Sequence, residues 1–454
     1  MSRKIHRMQA RRGLNHMRDT GRYSGLKRNK LITLSILLLA MLLVLGGCGT
    51  DGAEESPQAA AEPVTLEYWT PFSGGDNIFM TELVQQFNRE HGDIRIEQIN
   101  SRLDDYYSRL RTAILSGNAP DLAIIHATNL PQFVQNGYIE PLDGLAADTG
   151  LDWGQFNAKI AESTVYGGAH YAIPLDTHTL VLYYNKKYLK EAGLLDAGDK
   201  PLISKGERGF TEFLQQLKAE LPPGVAPLAL PSTRIDSVWL WWSLYNQMQG
   251  GGVFYNPEGT QAVFNNKESL QALEFVNSLY QQELIPPDIN DAFKLFYDGE
   301  AAMLITGVWG TGAFEKDENL ELGVVPVPVI YDHPAVWGDS HTLAIPAKSE
   351  MSAEKRNAAM IFARWAVEHG VMWAEAGHVP SSREVVESGA YAALKFRSDY
   401  ANTANSVAYW PRNVKQWSIN EEIIRQFEKM IYKEQSPEQA LQKAVDSINL
   451  QLKK

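Results

Sequence analysis

The sequence predicts an α/β fold in which strands and helices alternate along the chain. Residues 64–69 alternate apolar and polar side chains, as a half-buried strand does, and Phe79, Leu83 and Phe87 then share one helical face. A short apolar run at 122–125 indicates a buried strand. Strands separated by helices of this length are typical of mostly parallel, doubly wound sheets, whose ligands lie beyond the carboxyl ends of the strands.

Further elements extend this alternation through the chain. The ends of the first and third predicted strands fall at 69–75 and 126–129, so ligand contacts are expected there. A capping box with proline at the first helical position opens the last helix at Ser436. The other predicted elements are a strand at 94–99, a helix at 107–114, a strand at 180–185, a helix at 210–221, a strand at 301–305 and a helix at 423–431.

The chain length indicates the number of domains, and the distribution of charge excludes one class of partner. A chain of 454 residues exceeds the usual size of one domain, so two lobes or domains are expected. Residues 1–47 hold ten Lys and Arg with one acid, Asp19, which leaves 32 basic against 53 acidic residues from Cys48 onward. Such an acidic body lacks the cationic face that nucleic acid demands, so we expect no nucleic-acid partner.

The basic N-terminal region precedes an apolar stretch at 31–45, which is fifteen residues long and shorter than a membrane-spanning helix. It is typical of a signal peptide, and either Met1 or Met17 could begin it. The following Leu-Gly-Gly-Cys, ending at Cys48, resembles a bacterial lipobox, in which the cysteine is acylated. We expect an extracytoplasmic lipoprotein anchored to the cell membrane through Cys48, with a short uncleaved anchor as the alternative.

Several stretches after residue 64 together resemble the family 1 extracellular solute-binding proteins, the sugar-binding lipoproteins of bacterial ABC importers. They lie in the same order and at plausible spacings. These stretches are Gly-Asn-Ala-Pro-Asp at 117–121, Gly-Tyr-Ile-Glu-Pro-Leu at 137–142, Tyr-Gly-Gly-Ala-His-Tyr-Ala-Ile-Pro at 166–174, Leu-Tyr-Tyr-Asn at 182–185, Phe-Tyr-Asp-Gly-Glu-Ala-Ala-Met at 296–303 and Gly-Val-Trp at 307–309.

This resemblance implies a two-lobed fold like that of periplasmic binding proteins. Each lobe would be a doubly wound sheet flanked by helices, with three hinge crossings that let the lobes close on ligand. The crossings are expected near 174–177, 325–330 and 371–377. The implied organisation is a signal peptide at 1–47, a flexible tether at 48–63, an N-terminal lobe at 64–175 and 331–371, and a C-terminal lobe at 176–330 and 372–454.

A carbohydrate site needs flat aromatic rings for the C–H faces and polar groups for the hydroxyls. Most tryptophans are expected in the core, and only one or two of the adjacent Trp239, Trp241 and Trp242 can face a ligand. Trp309 and Trp417 fall where the family places stacking aromatics. The aromatic candidates are Trp69, Trp239, Trp241, Trp309, Trp337, Trp410 and Trp417.

The polar candidates share a position after a predicted strand or at a crossing. For the hydroxyl and amide residues, a turn or N-cap role is the alternative. Asp176 is favoured as a ligand contact because a carboxylate can accept two sugar hydroxyls. These candidates are Ser73, His126, Thr128, Asn129, Asp176, His178, Asp339 and Arg383, together with Thr177, Ser340 and His341.

The sequence offers no cofactor motif. The histidines are scattered without His-Glu-x-x-His or i, i+4 spacing, and no cysteine ligand remains for a metal, so no metal site is expected. The sequence has no Gly-x-x-x-x-Gly-Lys-Ser/Thr loop, so a separate ATPase would drive transport through membrane permease subunits.

The predicted function is a monomeric, non-enzymatic receptor that captures a mono- or oligosaccharide between its lobes and delivers it to an ABC permease. One alternative is an extracellular lipoprotein glycosidase using two facing carboxylates, for which Asp176 and Asp339 are the candidates. A second alternative is a sugar receptor that signals to a membrane sensor kinase, since the same fold serves both tasks.

Overall fold

The computed structural model describes residues 62–72 and 75–453. Cys48, the predicted signal peptide and residues 48–61 of the predicted tether lie outside these ranges, as does Ser73. No helix among the described residues is long and apolar enough to cross a membrane. The strands are β1 (Val64–Thr70), β2 (Ile94–Asn100), β3 (Leu122–His126), β4 (Val165–Tyr166), β5 (Ala169–His170), β6 (Ile173–Pro174), β7 (Asp176–Asn185), β8 (Met303–Gly307), β9 (Leu322–Pro326), β10 (Val336–Asp339), β11 (His341–Ala344), β12 (Val379–Pro380) and β13 (Val407–Ala408).

The helices cover both sheets and most of the C-terminal region. They are α1 (Asn77–Glu90), α2 (Leu103–Leu115), α3 (Leu130–Gln135), α4 (Asp143–Thr149), α5 (Ala158–Ser163), α6 (Lys186–Glu191), α7 (Gly206–Glu220), α8 (Asp236–Asn246), α9 (Lys267–Gln281), α10 (Ala292–Tyr297), α11 (Thr311–Glu315), α12 (Ala353–Glu368), α13 (Gly370–Ala374), α14 (Arg383–Glu387), α15 (Gly389–Ala392), α16 (Arg397–Tyr400), α17 (Gln416–Ile431) and α18 (Pro437–Leu452).

The first sheet has the order β2-β1-β3-β11-β6. Strands β1, β2 and β3 are parallel, as the alternation of strands and helices predicts, whereas β11 pairs antiparallel with β3 and β6. Alternate residues enter different cores: Ile124 packs in the core that holds α1 and α12, and Ile125 in the core on the α2 side. Helices therefore cover both faces, and the carboxyl end of β3 is left free to contact ligand.

The second sheet is built around β7, whose ten residues are all buried. Its main path is β12-β7-β10-β13, and β8 and β9 also pair with β7. β7 runs antiparallel to β8, β9, β10 and β12, and β10 pairs parallel with β13, so this sheet is mixed and mostly antiparallel instead of mostly parallel. The reason is the path of the chain, because β7 enters directly from the first sheet instead of following a crossover helix.

The chain changes sheet at two single residues. Leu175 separates β6 of the first sheet from β7 of the second, within the expected first crossing. Ser340 separates β10 of the second sheet from β11 of the first. β10 still belongs to the second sheet although it follows the expected crossing at 325–330, because it pairs with β7 through Gly338 and Asp339.

A third change lies between α13 and β12. Trp373 and Ala376 pack in the core of the first lobe, whereas Val379 packs in the core of the second and pairs with Thr177. The three connecting segments thus meet side by side around the start of β7. The structure shows an α/β fold with two sheet-containing lobes, as predicted.

Asp121, the last residue of the predicted family segment at 117–121, contacts the part of the chain that follows β11. Its side chain is buried and accepts hydrogen bonds from the backbone N–H of Glu67 at 2.9 Å, Lys348 Nζ at 2.5 Å and Lys355 Nζ at 3.0 Å. Burial opposes ionisation, but these donors more than offset it and lower the pKa of Asp121 below its usual value. The ionised carboxylate therefore ties β1, β3 and α12 together.

Replacing Asp121 by Asn should lower the free energy of unfolding by about 2 kcal/mol at pH 7, because two lysines lose a charged acceptor. A carboxylate whose pKa is lower in the folded state stabilises the fold at pH values above its unfolded pKa of about 3.9. This stabilisation disappears as the pH falls through the folded-state pKa. Urea unfolding at pH 7 and near pH 3 measures both quantities. The exposed Asp93→Asn is the control, and an equal loss at both pH values would contradict the account.

Candidate functional site

The three connecting segments meet at the carboxylate of Asp176, the first residue of β7. This side chain is completely buried. It accepts hydrogen bonds from Trp373 Nε1 at 2.6 Å and from the backbone N–H of His341 at 3.1 Å. Asp176 itself follows the first change of sheet, His341 follows the second, and Trp373 precedes the third. One buried acceptor therefore contacts all three connecting segments.

Histidines surround the same carboxylate. His341 Nδ1 lies 2.7 Å and His178 Nδ1 3.0 Å from Asp176 oxygens, and His378 Nδ1 lies 3.5 Å away. The ring of Trp373 stacks on that of His378, with centroids 4.4 Å apart and planes 6° apart. The site is therefore a dense buried cluster of one carboxylate and three imidazoles at the junction between the lobes.

Burial and neighbouring groups act in opposite directions on the pKa values of this cluster. Burial alone would raise the pKa of Asp176, but the surrounding histidines hold it well below its usual value. Burial lowers the pKa of His341 to about 4, whereas for His178 the bond to Asp176 overcomes burial and raises the pKa. Asp339 faces the opposite balance, since burial dominates and raises its pKa.

An aromatic wall lies beside this cluster. Trp239 and Trp337 stack with centroids 3.8 Å apart, and Trp309 meets them edge-on at 5.9 and 6.5 Å. The ring of His178 lies 5.8 Å from that of Trp309. A side chain at Gly307 would lie within 2 Å of the Trp309 ring, so the glycine leaves room for that ring.

A cavity of about 290 Å³ opens between the two lobes. The first lobe contributes the end of β3 and the segment from α5 to β4, and the second contributes the segment that follows β13. It is lined by Ala127, Thr128, Pro131, Lys159, Glu162, Ser163, Tyr166, Val407, Tyr409, Trp410, Pro411 and Arg412. Aromatic rings, hydroxyls and charged groups thus face one space from both sides.

Contacts across the cavity hold the lobes together. Arg412 donates to the carbonyl of Val165 at 2.7 Å and to that of Glu162, and its guanidinium lies 4.6 Å from the Tyr166 ring centroid. Lys159 Nζ donates to the carbonyl of Val407 at 2.7 Å. These contacts join the two lobes beside the cavity.

The structure brings many of the predicted residues to this junction and leaves others apart. Thr128 lines the cavity and its N–H donates to Asp339, while the ring of His126 lies 4.7 Å from that of His341. The predicted residues that lie at the cavity, the aromatic wall or the buried cluster are His126, Thr128, Asp176, His178, Trp239, Trp309, Trp337, Asp339 and Trp410.

Three predicted residues lie elsewhere. Trp241 is completely buried and donates to the carbonyl of Ser269, so its position in the core contradicts the expectation that it lines the cleft. Trp69 packs under Arg109 beside the α2 core, because the alternation of β1 places its ring on the α2 face of the sheet. Arg383 is exposed and donates to the carbonyl of Gly154.

Trp417 and Asn129 occupy the edge of the junction. Trp417 is 46% exposed, and its ring centroid lies 6.4 Å from that of Tyr107 in the other lobe. Asn129 is half-buried and lies near the Tyr107 hydroxyl. Both border the interface between the lobes without lining the cavity.

Sequence reasoning missed His378, Trp373 and Tyr409 among the residues of the junction. Metal-binding motifs have their ligands at short spacings, whereas His378 reaches Asp176 from a distant segment. The expected third crossing at 371–377 was the available signal, since residues beside a crossing lie close to the other crossings. The absence of closely spaced metal ligands in the sequence therefore does not exclude a metal at this cluster.

The family model for bacterial extracellular solute-binding proteins matches residues 75–373. The chain belongs to this family. Its relatives include an uncharacterized ABC transporter extracellular-binding protein from Pyrococcus horikoshii, 25% identical over 70% of this chain and 73% of that protein. The maltotriose-binding protein of Pyrococcus abyssi is 23% identical over 60% of this chain and 55% of its own length.

A solved structure supports the same fold for this solute-binding protein. The GacH receptor of Streptomyces glaucescens, crystallised unliganded and with acarbose, superposes with a TM-score of 0.74 at 21% identity. The match covers 86% of this chain and 99% of the receptor. The family and these relatives are binding proteins.

Replacing Asp176 by Asn should lower the free energy of unfolding by about 3 kcal/mol, because the buried donors around it lose their charged acceptor. Urea unfolding of the full chain measures the loss. The matched control is Asp236→Asn, a buried carboxylate whose Oδ2 has no hydrogen-bond partner among the described residues and lies 3.6 Å from the exposed Arg234 Nε. Equal losses in the two variants would show that Asp176 has no special role.

Proposed function

We propose that this protein is the extracytoplasmic receptor of an ABC importer and captures a carbohydrate between its two lobes. The observation that carries the proposal is the cavity whose lining comes from both lobes and combines aromatic rings with hydrogen-bonding groups. Pockets for small molecules are concave, with a few polar groups that fix orientation. A solute held there would contact both lobes at once and so favour the closed arrangement.

The chemistry of the lining suits a sugar. Tyr166, Tyr409 and Trp410 offer flat faces for C–H groups, while Thr128 and Glu162 can bond hydroxyls. Trp410 Nε1 is buried without a hydrogen-bond partner among the described residues, so a small movement of the ring would let it donate to a ligand. The names of relatives agree with this choice, since they include maltotriose-, lactose- and diacetylchitobiose-binding proteins.

The aromatic wall of Trp239, Trp309 and Trp337 extends the cleft beside the buried cluster. Trp309 is half-buried, whereas Trp337 is buried and its Nε1 has no hydrogen-bond partner among the described residues. We assign Trp309 as the stacking residue of this wall because it combines an exposed part of its ring with a fixed orientation against Trp239 and Trp337.

The proposed role requires capture and release but no covalent step, so the protein acts as a receptor and not as an enzyme. A monomer would deliver the sugar to permease subunits that a separate ATPase drives. We further propose that Cys48 carries the lipid that holds the receptor at the outer face of the cell membrane. The basic region, the apolar stretch and the Leu-Gly-Gly-Cys that ends at Cys48 support this anchor.

The first test is a thermal-shift screen of the full chain in detergent against mono- and oligosaccharides, with amino acids, polyamines and sugar phosphates as controls. A saccharide at 100 times its dissociation constant should add about 2.7 kcal/mol to the free energy of unfolding. Stabilisation by saccharides without product formation is expected. Stabilisation only by amino acids or polyamines would overturn the choice of a sugar.

Replacing Trp309 by Ala should weaken the binding of that saccharide at least tenfold, because the sugar loses an aromatic face. Isothermal titration calorimetry measures the dissociation constants. Trp153→Ala is the matched control, since Trp153 is also half-buried but stacks on His170 in the first lobe. If Trp309→Ala binds as tightly as the control, Trp309 belongs to the packing and not to the site.

A further inference from the structure

The buried cluster at the junction has the composition of a metal site. Asp176, His178, His341 and His378 each offer one ligand atom, and these four atoms all lie within 4.8 Å of one another. All four residues are buried. We propose that these side chains bind one divalent transition-metal ion of the zinc class.

The spacing of the ligand atoms suits a tetrahedral ion. Zinc bonds imidazole nitrogen and carboxylate oxygen at about 2.0–2.2 Å, so two ligand atoms of a tetrahedral site lie about 3.3 Å apart. The Nδ1 atoms of His341, His178 and His378 lie 2.7, 3.0 and 3.5 Å from oxygens of Asp176. His178 contacts Oδ1 of the carboxylate, whereas His341 and His378 contact Oδ2. The four ligand atoms lie within 4.8 Å of one another, so binding of one ion requires the side chains to draw closer together.

His378 supplies an independent observation. Its side chain is completely buried, yet neither ring nitrogen has a hydrogen-bond partner among the described residues. Such a buried imidazole has lost its hydrogen bonds to water and gained none within the protein, which is unusual for a buried polar group. Coordination through Nδ1 would satisfy one nitrogen of this ring.

Asp76 is placed to satisfy the other nitrogen. Its Oδ2 lies 3.7 Å from His378 Nε2, and its Oδ1 is buried without a hydrogen-bond partner among the described residues. A carboxylate behind a ligating histidine fixes the orientation of the ring and strengthens the ligand. Asp76 thus occupies the place of an outer carboxylate, one contact away from the ion.

The donor set selects the kind of ion. Three imidazoles with one carboxylate suit zinc and its first-row neighbours, whereas calcium and magnesium require oxygen ligands. The nearby Trp373 ring stacks on His378 and helps to shield the cluster from water. Calcium and magnesium should therefore fail to replace zinc.

The ligands come from all three connecting segments. Asp176 and His178 begin β7 after the first change of sheet, His341 follows the second, and His378 lies at the third. An ion bound by them would join the segments about which the lobes move and so restrain the hinge. The effect of this restraint on sugar capture rests on the proposed function, but binding of the ion does not.

Zinc titration of the full chain tests the site in the absence of any sugar. The protein is purified in detergent without a histidine tag, treated with a chelator, and titrated with Zn²⁺ in competition with a chromophoric chelator. One ion per chain should bind and raise the thermal midpoint. Co²⁺ in its place should show the strong visible absorption of a four-coordinate ion, whereas Ca²⁺ and Mg²⁺ should leave the midpoint unchanged.

Variants assign the ion to this cluster. His378→Gln should weaken zinc binding at least 100-fold, and Asp76→Asn, which leaves every ligand in place, by 10–100-fold. His333→Gln is the matched control, because His333 is exposed and lies outside the cluster. Circular dichroism checks that each variant folds. If His378→Gln does not fold, the zinc affinity of Asp76→Asn tests whether the ion binds at this cluster.

Two results would overturn the proposal. One is the failure of the chelator-treated wild type to take up zinc, and the other is zinc binding that both His378→Gln and Asp76→Asn leave as tight as in His333→Gln. The sugar screen remains informative in either case, since a chain that binds saccharide without zinc would lose the metal site and keep its proposed function.

Discussion

The arrangement of the two lobes depends on one buried carboxylate, that of Asp176. A charge removed from water requires donors around it, and here they come from Trp373, His178 and His341. Because these donors belong to the three segments that join the sheets, satisfying the charge brings the segments together. The contacts that satisfy this buried charge therefore fix where the three segments cross between the lobes.

The cleft follows from this junction. With the segments fixed, the end of β3 faces the segment after β13, and the cavity between them is lined from both lobes. The aromatic wall stands beside it because Trp337 precedes the second change of sheet and stacks on Trp239. The connecting segments, the aromatic wall and the lining of the cavity thus lie next to one another at the junction of the two lobes.

Much of the fold was predictable because its signals are local. The alternation at 64–69 corresponds to β1, because successive side chains of a strand point to opposite faces. The apolar run at 122–125 corresponds to β3, because a strand covered on both faces is apolar throughout. The site was only partly predictable. Trp241 and Trp239 are two positions apart on one helix and face different surroundings, which tryptophan content cannot reveal. His378 joins Asp176 through tertiary folding alone, so no spacing rule could find the cluster.

The most direct measurement is a crystal structure of the protein with the saccharide that stabilises it most. The account predicts sugar density between Thr128 and Tyr166 on one lobe and Tyr409 and Trp410 on the other, with the aromatic wall bordering the cleft. A saccharide bound on the outer surface of one lobe, with the cleft free of it, would contradict capture between the lobes.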